Sequence, residues 1–97
     1  MDVKSTVSLD TVVQRADDII ASDMDGETVM MSLENSAYYG LDTIGSRIWE
    51  LIALPTSVAQ VCSLLVTEFD VALETCQADV LELLNHLYAE KLITVIP

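Results

Sequence analysis

The sequence predicts an α+β domain in which a three-stranded antiparallel sheet is followed by three helices. Two observations carry this prediction. Near Leu41 the pattern changes from two-residue alternation broken by turn residues to three successive apolar periods of about 3.6. Asp25-Gly26, a pair that tolerates the positive φ angles of a tight hairpin, divides two strand-like runs.

Those runs are Ile19 to Asp23 and Thr28 to Leu33. A second reversal at Glu34-Asn35-Ser36 returns the chain as Ala37 to Leu41, which completes a meander. The expected buried faces carry Val29, Met31, Leu33, Tyr39 and Leu41. The first helix takes Asp42 or Thr43 as its N-cap. It repeats Ile44, Ile48, Leu51 and Ile52 at helical spacing, is anchored inside by Ile48 and Trp49, and stops before Pro55. Ser57 and Gln60 form a capping-box pattern for the second helix, whose stripe is Val58, Val61, Leu64, Leu65 and Phe69. The third, from Leu73 to Glu90, shows two apolar stripes: Cys76, Val80, Leu83 and Leu87, and Leu73, Leu81, Leu84 and Tyr88. A surface helix needs one, so the other must face a partner, a groove or another element. Leu92 to Ile96 is β-branched, and either adds a short terminal strand or packs down.

The 97 residues, 52% of them hydrophobic, suffice for one small core. Sixteen acidic residues against four basic ones give a net charge of −12, which repels nucleic acid and anionic membranes and favours a basic or neutral partner. The N-terminus MDVKSTVSLDTV lacks the pattern of a signal peptide, and no stretch approaches the roughly 20 apolar residues of a membrane span, so a cytoplasmic protein is expected. Cys62 and Cys76 lie within apolar helical patterns, without a CxxC pair, and read as buried reduced thiols.

Sites for chemistry are scarce. Asp23, Asp25, Gly26 and Glu34 superficially resemble a calcium loop, but the glycine comes at the fourth loop position instead of the sixth, and a hairpin explains them better. His86 is the single histidine and has no nucleophile at a recognisable motif; it reads as a helix-surface residue. No phosphate loop or repeat is present, and neither cofactor nor catalysis is expected. Most carboxylates read as a solvated face, with Asp79 placed to orient a ligand backbone or a cationic side chain.

Tyr38-Tyr39-Gly40-Leu41, then Gly45, Ile48 and Trp49, then Asp79-Val80 with Leu84 and Leu87, resemble the PqqD-like family over roughly Ile19 to Val95. The resemblance implies a winged helix-turn-helix-like RiPP recognition element. By length the chain is expected to be a single PqqD-like domain over 1–97, with about 1–17 as a partly strand-like N-terminal extension. The resemblance also implies binding of the leader peptide of a ribosomally synthesised precursor. The chain is most similar to the stand-alone recognition proteins of lasso-peptide pathways, whose partners are a separate leader peptidase and, through the leader, a cyclase. It also resembles the pyrroloquinoline-quinone peptide chaperone, which serves a radical enzyme.

An edge strand offers unpaired N–H and C=O groups to an extended peptide, and pockets for alternate side chains then supply specificity. The expected leader-binding residues are Ser36, Ala37, Tyr38 and Tyr39 on the strand with Cys76, Asp79, Val80 and Leu83 on the third helix; the stripe with Leu81 and Leu84 remains the alternative face. Tyr39 is expected to close the core and Tyr38 to flank the peptide, unless both are core. Val80→Asp or Leu83→Asp is expected to abolish binding without unfolding the chain. Unpaired edges also allow a dimer. Two rival classes fare worse: a winged-helix DNA binder is opposed by having only four Lys and Arg, and an acidic carrier protein would need a serine where Thr43 stands.

Overall fold

The computed structural model describes residues 7–97, so the first six residues of the expected extension, and of the stretch read for a signal peptide, lie outside the described residues. The elements are β1 (Val12–Arg15), β2 (Ile19–Met24), β3 (Glu27–Ser32), β4 (Ala37–Leu41), α1 (Thr43–Leu51), β5 (Thr56–Ser57), α2 (Val58–Glu68), α3 (Leu73–Ala89) and β6 (Ile93–Ile96).

The meander forms as an antiparallel sheet in the order β2-β3-β4. Asp25 and Gly26 adopt φ of 57° and 86°, the left-handed pair that lets Met24 face Glu27 across a two-residue turn. This turn fixes the register, and the register corrects the expected faces. Met30 and Leu41 point inward with the hydroxyl residues Thr28 and Ser32, whereas Val29 and Met31 are only half-buried and Leu33 is 55% exposed. Val29-Met30-Met31 is an unbroken apolar run, so alternation cannot tell its two faces apart. Thr28 and Ser32 look like solvent-side residues until their surroundings are known. The Ser46 hydroxyl satisfies the buried edge, accepting from Thr28 N at 2.7 Å and donating to Leu41 O at 3.2 Å.

A second sheet, in the order β5-β1-β6, stands beside the expected architecture. Its middle strand belongs to the supposed N-terminal extension. Val12 pairs with Ser57 on one side and Ile96 on the other, and Val13 is fully buried. The segment from Val7 to Arg15 is therefore part of the folded core, and Leu92 to Ile96 takes the strand alternative. Asn85 on α3 ties the segment down by accepting from Val7 N and donating to Val7 O, both at 3.1 Å.

The first two helices start where their caps predict. Asp42 Oδ1 accepts from Gly45 N at 2.8 Å. Any Cβ at position 45 would sit 3.2 Å from Leu41 Cβ and 3.3 Å from that capping oxygen, so glycine suits the first turn. Ser57 Oγ accepts from Gln60 N while Gln60 Oε1 accepts from Ser57 N, giving the reciprocal capping box. Ile48, Trp49 and Ile52 are buried beneath α1, and Val58, Val61, Cys62 and Leu65 beneath α2; Leu64 instead faces solvent. On α3 the buried line is Cys76, Val80, Leu84 and Leu87, which takes Leu84 from the second expected stripe and leaves Leu73 and Tyr88 exposed. The 3.6-residue period drifts across two parallel stripes over 17 residues, and the core follows the drift. Arg47 clamps α1 to α2 by a fork onto both Glu68 oxygens at 2.8 Å, with Glu50 at 3.0 Å.

Candidate peptide-binding cleft

A cleft of about 690 Å³ opens between the end of β4, the first turns of α1, the end of α2 and one face of α3. The strand contributes Gly40 and Leu41, α1 contributes Ile44, Gly45 and Ile48, and the stretch after Leu65 contributes Phe69 and Val71. From α3 come Thr75, Cys76, Asp79, Val80, Glu82, Leu83 and His86. The floor is apolar, and Asp42, Asp79 and Glu82 place carboxylates among its lining residues. Among the described residues β4 is hydrogen-bonded to β3 alone, which leaves its other edge unpaired there.

Of the eight residues expected to bind a leader, Cys76, Asp79, Val80 and Leu83 line this cleft together. Leu81 and Leu84 do not. Ser36, Ala37, Tyr38 and Tyr39 continue the same edge away from the cleft lining. Ser36 turns the chain with a φ of 53° and is exposed, and Ala37 is half-buried. Tyr38 is 74% exposed and stands opposite Met31 on the outer sheet face. Tyr39 turns inward, and its hydroxyl donates to Glu90 Oε1 at 2.8 Å while accepting from Asn35 Nδ2 at 3.1 Å. The carboxylate of Glu90 holds the Tyr39 phenol above its ordinary pKa, with loss of hydration adding to the effect.

Val80 is only 2% exposed, so an aspartate there would bury a charge. This corrects the expectation that Val80→Asp would spare the fold; Leu83, half-buried at the cleft wall, is the position where that substitution can act on binding. Cys62 and Cys76 are both free and buried beside this wall. Burial, reinforced by the neighbouring Cys76, pushes the Cys62 thiol up to about 11. Among the described residues no group of His, Cys, Asp and Glu is arranged to hold a metal ion, and no helix is long and apolar enough to cross a membrane.

Sequence reading did not collect Ile44, Phe69, Val71, Thr75, Glu82 and His86 at one site. One signal was available: Phe69 and Val71 are apolar just beyond the end of α2, where a solvated connection would be polar.

The family model for coenzyme PQQ synthesis protein D (PqqD) matches residues 27–93. No curated protein matches the chain. Among solved structures, TbiB1 in complex with the TbiA(beta) leader peptide is 28% identical, with a TM-score of 0.76 over 82% of this chain and 93% of that one. The solution NMR structure of the PqqD truncation of Methylobacterium extorquens PqqCD, described as a functional and stand-alone RiPP recognition element, shares 17% identity. Its TM-score is 0.77, over 93% of this chain and 96% of that one. With the family model spanning more than half of the sequence and the fold shared almost end to end, the chain belongs to the PqqD family and has the fold of a PqqD-like RiPP recognition element.

Proposed function

We propose that the chain binds the leader peptide of a ribosomally synthesised precursor in this cleft and presents it to a leader peptidase and cyclase of a lasso-peptide pathway. The observation that carries the reading is the unpaired edge of β4 beside an apolar-floored cleft walled by α3. An extended leader adds to the edge through its backbone, contacting Ser36, Ala37, Tyr38 and Tyr39, and seats alternate side chains against Cys76, Val80 and Leu83. Asp79 lies where it can accept from a leader N–H or a basic side chain. The similarity to TbiB1, which is bound to a leader peptide, supports the ligand class. Ordering a leader costs roughly 2–5 kcal/mol, which is why several anchors along one cleft are needed. The chain's own role is recognition, with no catalytic step, and it operates in the cytoplasm, where Cys62 and Cys76 stay reduced.

A second reading is favoured by the family match: a PqqD-type peptide chaperone for a radical enzyme. The two readings share the cleft and differ in the enzyme recruited. The deciding experiment titrates the chain with the leader of the precursor encoded beside it and follows amide shifts across Ser36–Leu41 and Cys76–Leu87. Saturable binding at low micromolar or tighter with shifts in both segments is expected; no binding to any neighbouring precursor overturns the proposal. Ternary assembly with the adjacent peptidase or with a radical enzyme then separates the two pathways.

A further inference from the structure

The α3 residues that line the cleft fall into two parallel rows. Cys76, Val80 and Leu83 form an apolar row that continues the floor made by Ile48 and Leu65. Thr75, Asp79, Glu82 and His86 form a polar row whose intervals of four, three and four residues keep them on one side of the helix, all of them exposed. Asp79 directly precedes Val80, and Glu82 directly precedes Leu83. Each carboxylate residue therefore stands about 100° around the helix axis from an apolar neighbour at nearly the same height. Asp79 and Glu82 are themselves separated by only about 4.5 Å along the axis, a spacing that one cationic head group can bridge.

The remaining carboxylate of the lining, Asp42, is committed as the N-cap of α1, where it accepts from Gly45 N at 2.8 Å. Among the described residues no lysine or arginine lines the cleft. Arg47 is held by Glu50 and Glu68, Lys91 by Glu34, and Arg15 lies over Trp49. A peptide laid against this wall thus covers two carboxylates for which the cleft lining supplies no cation. A neutral side chain there would dehydrate them without compensation, and an acidic one would add repulsion.

We propose that Asp79 and Glu82 are specificity-determining residues that select a lysine or arginine of the leader, its alkyl stem lying on Val80 and Leu83 and its head bridging the two carboxylates. The inference rests on the leader-binding reading and adds to it the chemistry of one leader side chain. Lysine and arginine combine a long apolar stem with a positive head, which matches an apolar row running beside an acidic one. The apolar floor makes the site, and the two carboxylates choose which side chain lies across its wall.

The full chain is titrated by calorimetry with the leader of the precursor encoded beside it. Copies of that leader carry norleucine in place of each lysine or arginine in turn, which keeps the stem and removes the charge. One replacement should weaken binding about tenfold. Against the double variant Asp79→Asn/Glu82→Gln, the same replacement should change affinity by less than about twofold, because the partner charges are already gone. Both positions are exposed, so the double variant should melt as the parent chain does. Glu74→Gln removes a charge from the first turn of the same helix outside the cleft lining, and should leave leader binding unchanged. The inference is overturned, with the leader-binding reading left standing, if a bound leader contains no basic residue, if no norleucine replacement weakens binding, or if the loss is the same size against the double variant. A loss with Glu74→Gln equal to that of the double variant also overturns it, since net charge alone would then be acting. Failure of the parent chain to bind any neighbouring leader overturns the reading itself and this inference with it.

Discussion

Tyr39 and Glu90 join the two walls of the proposed leader site: the Tyr39 hydroxyl on β4 donates to Glu90 Oε1 at the C-cap of α3 across 2.8 Å. Asn35 braces both partners, its Nδ2 donating to Tyr39 Oη at 3.1 Å and to the Glu90 carbonyl at 2.6 Å. The strand edge and the helix end are thereby held at a set separation on the side away from the cleft floor. Tyr39→Phe removes the link and retains the ring. Leader affinity should fall by about threefold to fivefold, with little change in far-UV circular dichroism; unchanged affinity by calorimetry would show that the link does not set the cleft.

Leu83 and Val80 are one helical turn apart but differ in burial, so the same substitution should do different things. Leu83→Asp places a carboxylate at a half-buried wall and should weaken leader binding by about tenfold or more, while thermal melting remains cooperative. Val80→Asp should cost ~4 kcal/mol or more by burying an unpaired charge, and it should unfold the chain. Full leader binding by a folded Leu83→Asp chain would remove α3 from the site.

The Arg47 fork gives stability a defined pH dependence. The hydrogen bonds from Arg47 hold the Glu68 carboxyl below its ordinary value of 4.5, despite some loss of hydration. A depressed folded-state value means that the contribution is present above pH 4.5 and is lost as the pH falls through the folded-state value. Glu68→Gln should therefore lower the melting temperature at pH 7, and the difference from the parent chain should close on strong acidification. A gap that persists at acidic pH would point to packing in place of charge.

Burial protects Cys62 from chemistry. With its thiol raised to about 11, roughly one molecule in a thousand carries the thiolate at pH 8, and access is closed as well. Native protein should react with iodoacetamide far more slowly than a free thiol at that position, and denaturant should release full reactivity. Rapid alkylation of Cys62 in the native chain would mean that α2 and α3 separate readily.

What could be read from the sequence follows the range of the interactions involved. Asp25-Gly26, the Asp42 cap and the Ser57–Gln60 box are settled within a few residues, and each appears where its local chemistry requires. The meander and three helices follow from them. β1 was not legible as a core strand because Val12 pairs with Ser57 and Ile96, contacts that no local pattern encodes. The face of β3 was misread at Val29 and Met31 because three consecutive apolar residues carry no alternation. For the candidate site, the α3 period offered two stripes without choosing between them, and the cleft is lined by Cys76, Val80 and Leu83 of the first. Ile44, Phe69 and Val71 reach it from separate elements, and only the tertiary fold makes them neighbours.

The pairing of β1 with β6 also joins the two ends of the described chain. The strands of the meander pair only with one another, within Ile19 to Leu41. Val12 to Arg15 must wait through the synthesis of some eighty further residues before Ile93 to Ile96 arrive. Until then Val13, destined for complete burial, lacks its final strand neighbour. The β1–β6 pairing therefore closes the longest loop in the fold, the most entropically costly of its strand pairings.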